Sequence, residues 1–117
     1  MIVVNDIVRE IVVYSIRPEC LDDFRHLLLP EFREEVIRLT GCLAYETLSE
    51  VNDRRMFVDI VTWQSLADAT KAVEVIQQLQ QQSDKPWFNM FERSILFKHF
   101  KPVSDWCNFD EPLLKVG

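Results

Sequence analysis

The chain contains 117 residues, of which 48% are hydrophobic and 27% are charged, and its formal net charge is −6. This length and composition predict one globular domain spanning residues 1–117, large enough to bury a core, and they exclude a disordered chain. The acidic balance, without a cluster of Lys and Arg, argues against nucleic acid and against an anionic membrane surface as partners.

Residues 7–16 predict the first strand. From Ile11 onward both of its alternating faces are apolar, which is typical of a strand covered on both sides. In so short a chain its own helices can cover only one side. We therefore predict that the sheet of a second copy covers the other side, so that the protein forms a homodimer.

Apolar residues at steps of three and four from Leu21 to Leu39 predict the first helix. Pro30 lies within this pattern and predicts a bend, because proline removes one backbone hydrogen bond and crowds the preceding turn. Gly41 predicts the end of the helix, since glycine readily adopts the left-handed conformation found at many helix ends.

A β-hairpin is predicted after this helix. Residues 41–50 and 55–63 are its two extended segments, and the polar residues 51–54 form the turn between them. Asn52 and Asp53 suit the turn because their side chains can hydrogen-bond to nearby backbone groups.

The second helix is predicted to begin after Ser65, whose hydroxyl can accept from a free backbone N–H, with Asp68 three residues later. Its apolar stripe runs from Leu66 to Leu79, and the glutamines among residues 77–82 predict a solvated helix end. A short helix starting at Pro86 would then present four apolar side chains: Trp87, Phe88, Met90 and Phe91.

Residues Ser94–Phe100 predict the fourth strand. The remaining tail, residues 103–117, is too apolar to extend into solvent and is predicted to pack on its own domain or on a partner. The order β-α-β-β-α-β is that of a ferredoxin-like α+β domain, with an antiparallel sheet and both helices on one face. The bare apolar face again predicts a dimer with two sheets face to face.

Three segments carry a resemblance to a known family. They are Arg17-Pro18-Glu19 followed by Phe24, the run Gly41-Cys42-Leu43-Ala44-Tyr45-Glu46, and the run Trp63-Gln64-Ser65-Leu66-Ala67-Asp68-Ala69. In this order and spacing they resemble the antibiotic biosynthesis monooxygenase-like superfamily of dimeric α+β barrels, over residues 8–102. The resemblance is specific for the fold more than for any one reaction.

The resemblance implies a cavity between the sheet and the helices of each protomer. Some members of the superfamily use it to oxidise aromatic polyketides or quinols with O₂ and without metal or flavin, so no cofactor is expected. Their protein groups bind a phenolic substrate, help to remove its proton and shield the intermediate from water. Other relatives degrade haem, and many have no assigned activity.

The chain departs from both catalytic subgroups at one position. Nine residues after Trp63, quinol-oxidising members carry His and haem-degrading members carry Trp, whereas this chain has Ala72. The strand asparagine of the haem group falls at Ile11, and the glutamines of residues 77–82 occupy the region of its helical histidine. These departures argue against haem degradation.

Asp59 and His99 are the candidate catalytic residues. Asp59 interrupts an apolar strand, and a buried carboxylate must be paired or have a raised pKa. It is therefore either a catalytic carboxylate or a structural residue paired with a nearby cation (Arg9, Arg55, Arg93 or Lys98). His99 alternates with Phe97 and is either a base facing the cavity or a packed strand histidine.

Six aromatic residues are candidates for binding a flat ligand, and each is also explained by core packing. The hydroxyls of Tyr14 and Tyr45 can hydrogen-bond a phenolic ligand. Trp63 is predicted to lock a strand against the second helix, while the other three would form a lid or wall: Trp87, Phe88 and Phe91. His26 lies off the apolar stripe of the first helix and is predicted to be exposed.

Other site classes lack their motifs. Cys20, Cys42 and Cys107 have no paired spacing and no histidine at ligand spacing, so they predict free thiols in a reducing cytoplasm and no metal site. No signal-peptide pattern and no apolar run near ~20 residues is present. Only two glycines occur, so no phosphate-binding loop is predicted.

Two hypotheses for function follow. In the first, the chain is a cofactor-independent monooxygenase acting on a small aromatic or quinol-type substrate. In the second, it is a non-catalytic, small-ligand-binding or stress-related dimeric module that uses the same cavity for an apolar ligand. Ala72 favours the second hypothesis, and the polar groups on the strands favour the first.

Overall fold

A computed structural model describes residues 6–82 and 87–104 of the chain. The strands are β1 (Val8–Ile16), β2 (Cys42–Ser49), β3 (Met56–Trp63) and β4 (Phe91–Phe100). The helices are α1 (Leu21–Asp23), α2 (Leu29–Ile37) and α3 (Leu66–Gln82), with short 3₁₀ turns at Pro18–Cys20 and Trp87–Met90. The predicted β-α-β-β-α-β order is confirmed.

The four strands form one antiparallel sheet in the order β2-β3-β1-β4. Central pairs align Val12 with Asp59 and Tyr14 with Phe57, while Thr47 on β2 lies opposite Asp59 from the other side. This register places Asp59 in the middle of the sheet, with a neighbouring strand on each side. The ferredoxin-like prediction is confirmed.

The first helix contains a π-helical turn, Phe24–Leu28, between α1 and α2. The N–H of Leu29 donates to the carbonyl of Phe24, five residues back, and Pro30 follows directly. Proline has no N–H and its ring crowds the carbonyl four residues earlier. The wider turn accommodates Pro30 without that conflict.

Two local contacts fix the start of α3. The Ser65 hydroxyl accepts from the backbone N–H of Asp68 at 3.1 Å, as the N-cap prediction requires. Gly41 has φ of 85°, and a Cβ atom there would collide with the Asp68 side chain. Gly41 is therefore needed both for its backbone conformation and for the close approach of α3.

The two faces of the sheet differ. On the helix-covered face, the alternate β3 residues Phe57, Asp59, Val61 and Trp63 are buried. Val61 and Trp63 join a core cluster with Ala69, and Phe57 joins a second cluster with Tyr14 and Phe24. The opposite face carries apolar side chains that no described helix covers: Ile11, Val13, Leu48, Val58, Ile60, Leu96 and Phe100.

Some predicted boundaries are wrong. The strand β4 begins at Phe91 rather than at Ser94, so Phe91 belongs to a strand and not to the short helix. The first helix ends at Ile37 rather than continuing to Gly41. The second helix agrees with its prediction, because α3 runs through the glutamines and ends at Gln82. Val103 is 97% exposed, and the rest of the predicted packed tail from residue 105 onward lies outside the described residues.

Candidate functional site

A cavity of about 370 Å³ lies between the sheet and the helices, and it is called the main cavity below. Members of both core clusters line it, and two exposed residues of β4 among the lining mark the side on which it opens. Its described lining residues are Glu10, Val12, Tyr14, Phe32, Val36, Tyr45, Asp59, Val61, Ala72, Val73, Ile76, Phe91, Ser94 and Phe97.

Asp59 is only 8% exposed and accepts three hydroxyl hydrogen bonds. Tyr14 and Thr47 donate to Oδ1 at 2.9 and 2.8 Å, and Tyr45 donates to Oδ2 at 3.1 Å. The three donors are called the hydroxyl cluster below. The residues lie on three adjacent strands, so the register of the sheet itself assembles the site.

The hydroxyl cluster donates two hydrogen bonds to one carboxylate oxygen of Asp59 and one to the other. A carboxylate offers about four lone-pair positions, and within the described residues Oδ2 accepts from Tyr45 alone. Burial raises the pKa of Asp59, and the hydrogen bonds from Thr47, Tyr14 and Tyr45 oppose that rise. Within the described residues, the result is a carboxylate that faces an apolar cavity, retains a free acceptor position and binds a proton more readily than an exposed aspartate.

Both tyrosines remain protonated near neutral pH. Burial, followed by the charge of Asp59, raises the pKa of Tyr14 and of Tyr45 above that of an ordinary tyrosine. A phenol that donates to a carboxylate can still accept with its own oxygen lone pairs. Tyr14 and Tyr45 can therefore receive a hydrogen bond from a ligand while they hold Asp59 in place.

A second carboxylate, Glu10, lines the same cavity and is also 8% exposed. It lies on β1 opposite His99, and the two side chains are joined by a contact of 3.0 Å between Glu10 Oε1 and His99 Nε2. His99 packs edge-on against Phe97 at 5.5 Å between ring centroids. His99 itself is not among the described residues that line the main cavity.

Several groups act on the ionisation of Glu10. Burial raises its pKa, the hydrogen bond and charge of His99 lower it, and the charge of Asp59 raises it. The Trp63 indole N–H lowers it slightly, although no acceptor meets hydrogen-bond geometry for that atom in the described part of the chain. Glu10 and Asp59 are diagonal neighbours in the β1–β3 register, which explains why the charge of Asp59 opposes ionisation of Glu10.

The model of the antibiotic biosynthesis monooxygenase family matches residues 7–75, which include the hydroxyl cluster, Asp59 and Ala72. The match covers more than half of the chain. The chain belongs to this family.

Solved structures share the fold at low sequence identity. SnoaB, a cofactor-independent oxygenase from Streptomyces nogalater, has a TM-score of 0.71 and 14% identity over 86% of this chain and 96% of its own. A conserved protein from Methanosarcina mazei has a TM-score of 0.69 and 12% identity over 84% and 94%. Rv0793 from Mycobacterium tuberculosis has a TM-score of 0.68 and 16% identity over 85% and 97%. These likenesses concern the fold; comparison with curated proteins gives no match.

Ala72, the position at which the chain departs from the catalytic subgroups of the resemblance, lies in the wall of the main cavity. It is 3% exposed and packs in the cluster around Trp63. A methyl group at this position leaves room in the cavity and supplies no base. Among the described lining residues, the carboxyl and hydroxyl groups all lie on the strands.

The predicted site residues divide into groups. Tyr14, Tyr45, Asp59 and Phe91 line the main cavity. Trp63 is buried beside it in the core. Among the remaining predictions, Trp87 and Phe88 begin the short 3₁₀ turn, but their side chains lie outside the described residues.

Asp59 is bound by hydroxyl groups instead of by one of the cations that the sequence offered. Arg9 and Lys98 lie at positions of the sheet that alternate with the cavity-facing residues. Arg55 pairs with Asp53 at 3.6 Å and with Glu92 at 3.3 Å. His26 is exposed, as predicted, and its Nδ1 contacts the carbonyl of Asp22 at 2.9 Å.

Sequence reasoning missed Glu10 and Thr47. Glu10 stands near the start of β1, before the continuous apolar run. The signal was its spacing, because Glu10, Val12 and Tyr14 alternate and so share one face. Thr47 is likewise two residues from Tyr45 on β2.

Two absences hold for the described part of the chain. No group of three or more His, Cys, Asp or Glu side chains is arranged to hold a metal ion within residues 6–82 and 87–104. None of the helices in those ranges combines the length and the apolar character needed to span a bilayer.

Proposed function

We propose that the protein is a cofactor-independent monooxygenase acting on a small aromatic or quinol-type substrate, with Asp59 as the proton acceptor. One observation carries this proposal: a buried carboxylate with a raised pKa faces an apolar cavity and is held by three hydroxyls. Perturbed carboxylates in such pockets are typical of proton-transfer sites.

The lining of the main cavity supports an uncharged aromatic substrate that donates hydrogen bonds. The walls are formed by aliphatic and aromatic side chains, whereas the polar lining includes the two carboxylates Glu10 and Asp59. No lysine or arginine occurs among the described lining residues. A ligand that carries a carboxylate would be repelled, while a phenol or quinol would find acceptors.

The proton step uses the free acceptor position of Asp59. A substrate hydroxyl donates a hydrogen bond either to Asp59 Oδ2 or to the Tyr45 hydroxyl oxygen, which itself donates to Oδ2. The substrate proton passes to Asp59 as the phenolate forms. The total charge of the cavity does not change in this transfer, since a carboxylate is exchanged for a phenolate. That matters in an apolar site, where an additional charge is costly.

Oxygenation then needs no reductant besides the substrate. The electron-rich ring carbon of the phenolate forms a C–O bond with O₂, and the resulting hydroperoxide loses water to leave a quinone carbonyl. One oxygen atom enters the product and the other leaves in water, together with the two hydrogens lost by the substrate. The apolar walls exclude bulk water from the intermediate.

The uncovered face of the sheet supports a homodimer with the two sheets face to face. Leu48 and Phe100 on this face are 45% and 47% exposed, and exposed apolar patches of this kind mark protein interfaces. Native mass spectrometry tests the proposal: twice the 13.9 kDa chain mass is expected, and a monomer would contradict it. A cytoplasmic location is part of the same proposal, with Cys20 and Cys42 as free thiols.

The test of the activity is O₂ consumption with naphthohydroquinone, corrected for spontaneous oxidation. Asp59→Asn keeps the shape of the side chain and removes the proton acceptor, so the enzymatic rate should fall about 10²–10⁴-fold. Asp23→Asn makes the same chemical change on the exposed face of α1 and should leave the rate unchanged. Equal rates for wild type and Asp59→Asn would refute the role of Asp59.

A non-catalytic ligand-binding module is the second candidate, and Ala72 is the observation that favours it. In this case naphthohydroquinone would bind but O₂ consumption would not exceed the spontaneous rate. Ala72→His distinguishes the two candidates further, because it places an imidazole in the cavity wall. A rate that appears only in this variant would favour the binding module as the natural function.

A further inference from the structure

A second, smaller cavity of about 40 Å³ adjoins the main cavity, and we call it the side pocket. Five residues line both spaces, so the two share a wall at Asp59 and its tyrosines. The described residues around the side pocket are Tyr14, Phe24, Leu28, Leu29, Phe32, Tyr45, Asp59 and Phe91.

The surface that faces the side pocket is apolar. Although Asp59, Tyr14 and Tyr45 belong to the lining, their polar atoms are turned to one another in the hydrogen-bonded cluster, and the accessible lining is apolar. A buried water molecule needs about two to four polar partners. The side pocket offers no such set, so it favours a small apolar guest over water.

The π-helical turn supplies one wall of this space. Phe24 and Leu28 are its first and last residues, both are buried, and both line the side pocket. A regular α-helix would give these two side chains a different angular separation about the helix axis. The π turn that accommodates Pro30 therefore also sets the positions of Phe24 and Leu28 in the wall of the side pocket. Turns of this kind are frequent at functional sites.

We infer that the side pocket binds molecular oxygen, next to the organic ligand in the main cavity. O₂ is a small apolar molecule, and dry apolar cavities bind such guests. The shared wall places a gas molecule beside the carboxylate at which the substrate would lose its proton. This inference rests on the proposed oxygenase function for its purpose, while the binding of O₂ can be measured without turnover.

The direct test is the relaxation of methyl protons by dissolved O₂, which is paramagnetic and speeds the relaxation of groups that it visits. The Leu28 and Leu29 methyls should show a several-fold larger effect than the Val8 methyls. Val8 is as buried as Leu28 but is not among the described residues that line either cavity. Equal effects at Leu28 and Val8 would overturn the inference.

Filling the pocket sharpens the test. Leu28→Phe adds volume at the wall and should reduce the effect of O₂ on the half-buried Leu29 methyls several-fold. Leu27→Phe is the matched control, because Leu27 belongs to the same π turn but is 62% exposed and does not line the pocket. Should Leu28→Phe fail to fold, Leu28→Met fills part of the space with less overpacking.

The kinetic consequence separates this inference from the proposed function. With naphthohydroquinone, Leu28→Phe should raise the KM for O₂ several-fold with kcat nearly unchanged, and Leu27→Phe should change neither. An unchanged KM for O₂ would overturn the assignment of the pocket. Enhanced relaxation at Leu28 together with no enzymatic O₂ consumption by the wild type would instead refute the proposed function and leave the O₂ site standing.

Discussion

Asp59 and Glu10 are two carboxylates with the same burial in one cavity, yet they have different partners. Asp59 is held by three hydroxyls that carry no charge near neutral pH, whereas Glu10 is paired with the imidazole of His99. Neutral hydrogen-bond donors offset the free-energy cost of burying a carboxylate, but they do not hold it in the ionised form as a nearby positive charge would. A protonated histidine, in contrast, favours the ionised form of its partner.

The difference separates two roles for similar groups. Asp59 can gain and lose a proton while its neighbours stay in place, because hydroxyls can both donate and accept. The hydrogen bond and the charge of His99 lower the pKa of Glu10 against the rise that burial causes, and so Glu10 suits an anchor for a hydrogen-bond donor. We therefore assign proton transfer to Asp59 and ligand orientation to Glu10 within the proposed function.

The largest effect should come from replacing each carboxylate by an apolar side chain. Asp59→Leu leaves three hydroxyls without their acceptor. Each hydroxyl that stays buried and unpaired should lower the free energy of unfolding by about 1–3 kcal/mol. Glu10→Leu leaves only His99, which is partly exposed, so it should be clearly milder. Urea denaturation measures both, and a milder Asp59→Leu would remove the distinction between the two sites.

The next effect concerns individual donors to Asp59. Tyr14→Phe and Tyr45→Phe each delete a hydrogen bond that lowers the pKa of Asp59, so that pKa should rise further in both variants. The cost in stability should be about 1.5–3 kcal/mol for a hydrogen bond to a charged group. Carboxyl ¹³C NMR follows the titration, and a lowered pKa in either variant would show that the hydroxyl supports the protonated form instead.

The dependence of stability on pH is a smaller effect. Folding raises the pKa of Asp59 and of Glu10, so between the ordinary and raised values the folded protein binds more protons than the unfolded chain. The contribution of these groups is therefore most favourable below their ordinary pKa and becomes less favourable as pH rises through the raised values. Asp59→Asn should flatten part of that decline in the urea midpoint, and an unchanged profile would contradict the raised pKa.

The smallest effect should follow from His99→Gln. Because His99 lowers the pKa of Glu10, its removal should raise that pKa while leaving the hydrogen bonds of Asp59 intact. Carboxyl NMR of Glu10 measures the shift. Lys98→Gln on the alternate face of β4 serves as the control, and an equal shift in this variant would indicate a general charge effect.

The sequence predicted the order of the elements well because each is encoded locally. Examples are the apolar period of the helices and the Ser65 cap. Asp59 was also found locally, since a carboxylate among β-branched residues needs an explanation wherever the strand lies.

The partners of Asp59 were harder to predict, because they depend on strand register. Thr47 and Tyr14 are 12 and 45 residues away in the chain, and only the pairing of β2, β3 and β1 brings them together. Glu10 with His99 spans 89 residues for the same reason. The start of β4 at Phe91 was missed because an aromatic run fits a helix or a strand equally well.

The most direct test of the account is a carboxyl ¹³C NMR titration of Asp59, first alone and then with naphthohydroquinone under anaerobic conditions. In the free protein Asp59 should titrate above an ordinary aspartate, and its carboxyl resonance should shift when the quinol binds and donates a hydrogen bond to it. An Asp59 that titrates as an ordinary aspartate, or whose resonance does not respond to the bound quinol, would contradict its role as the proton acceptor.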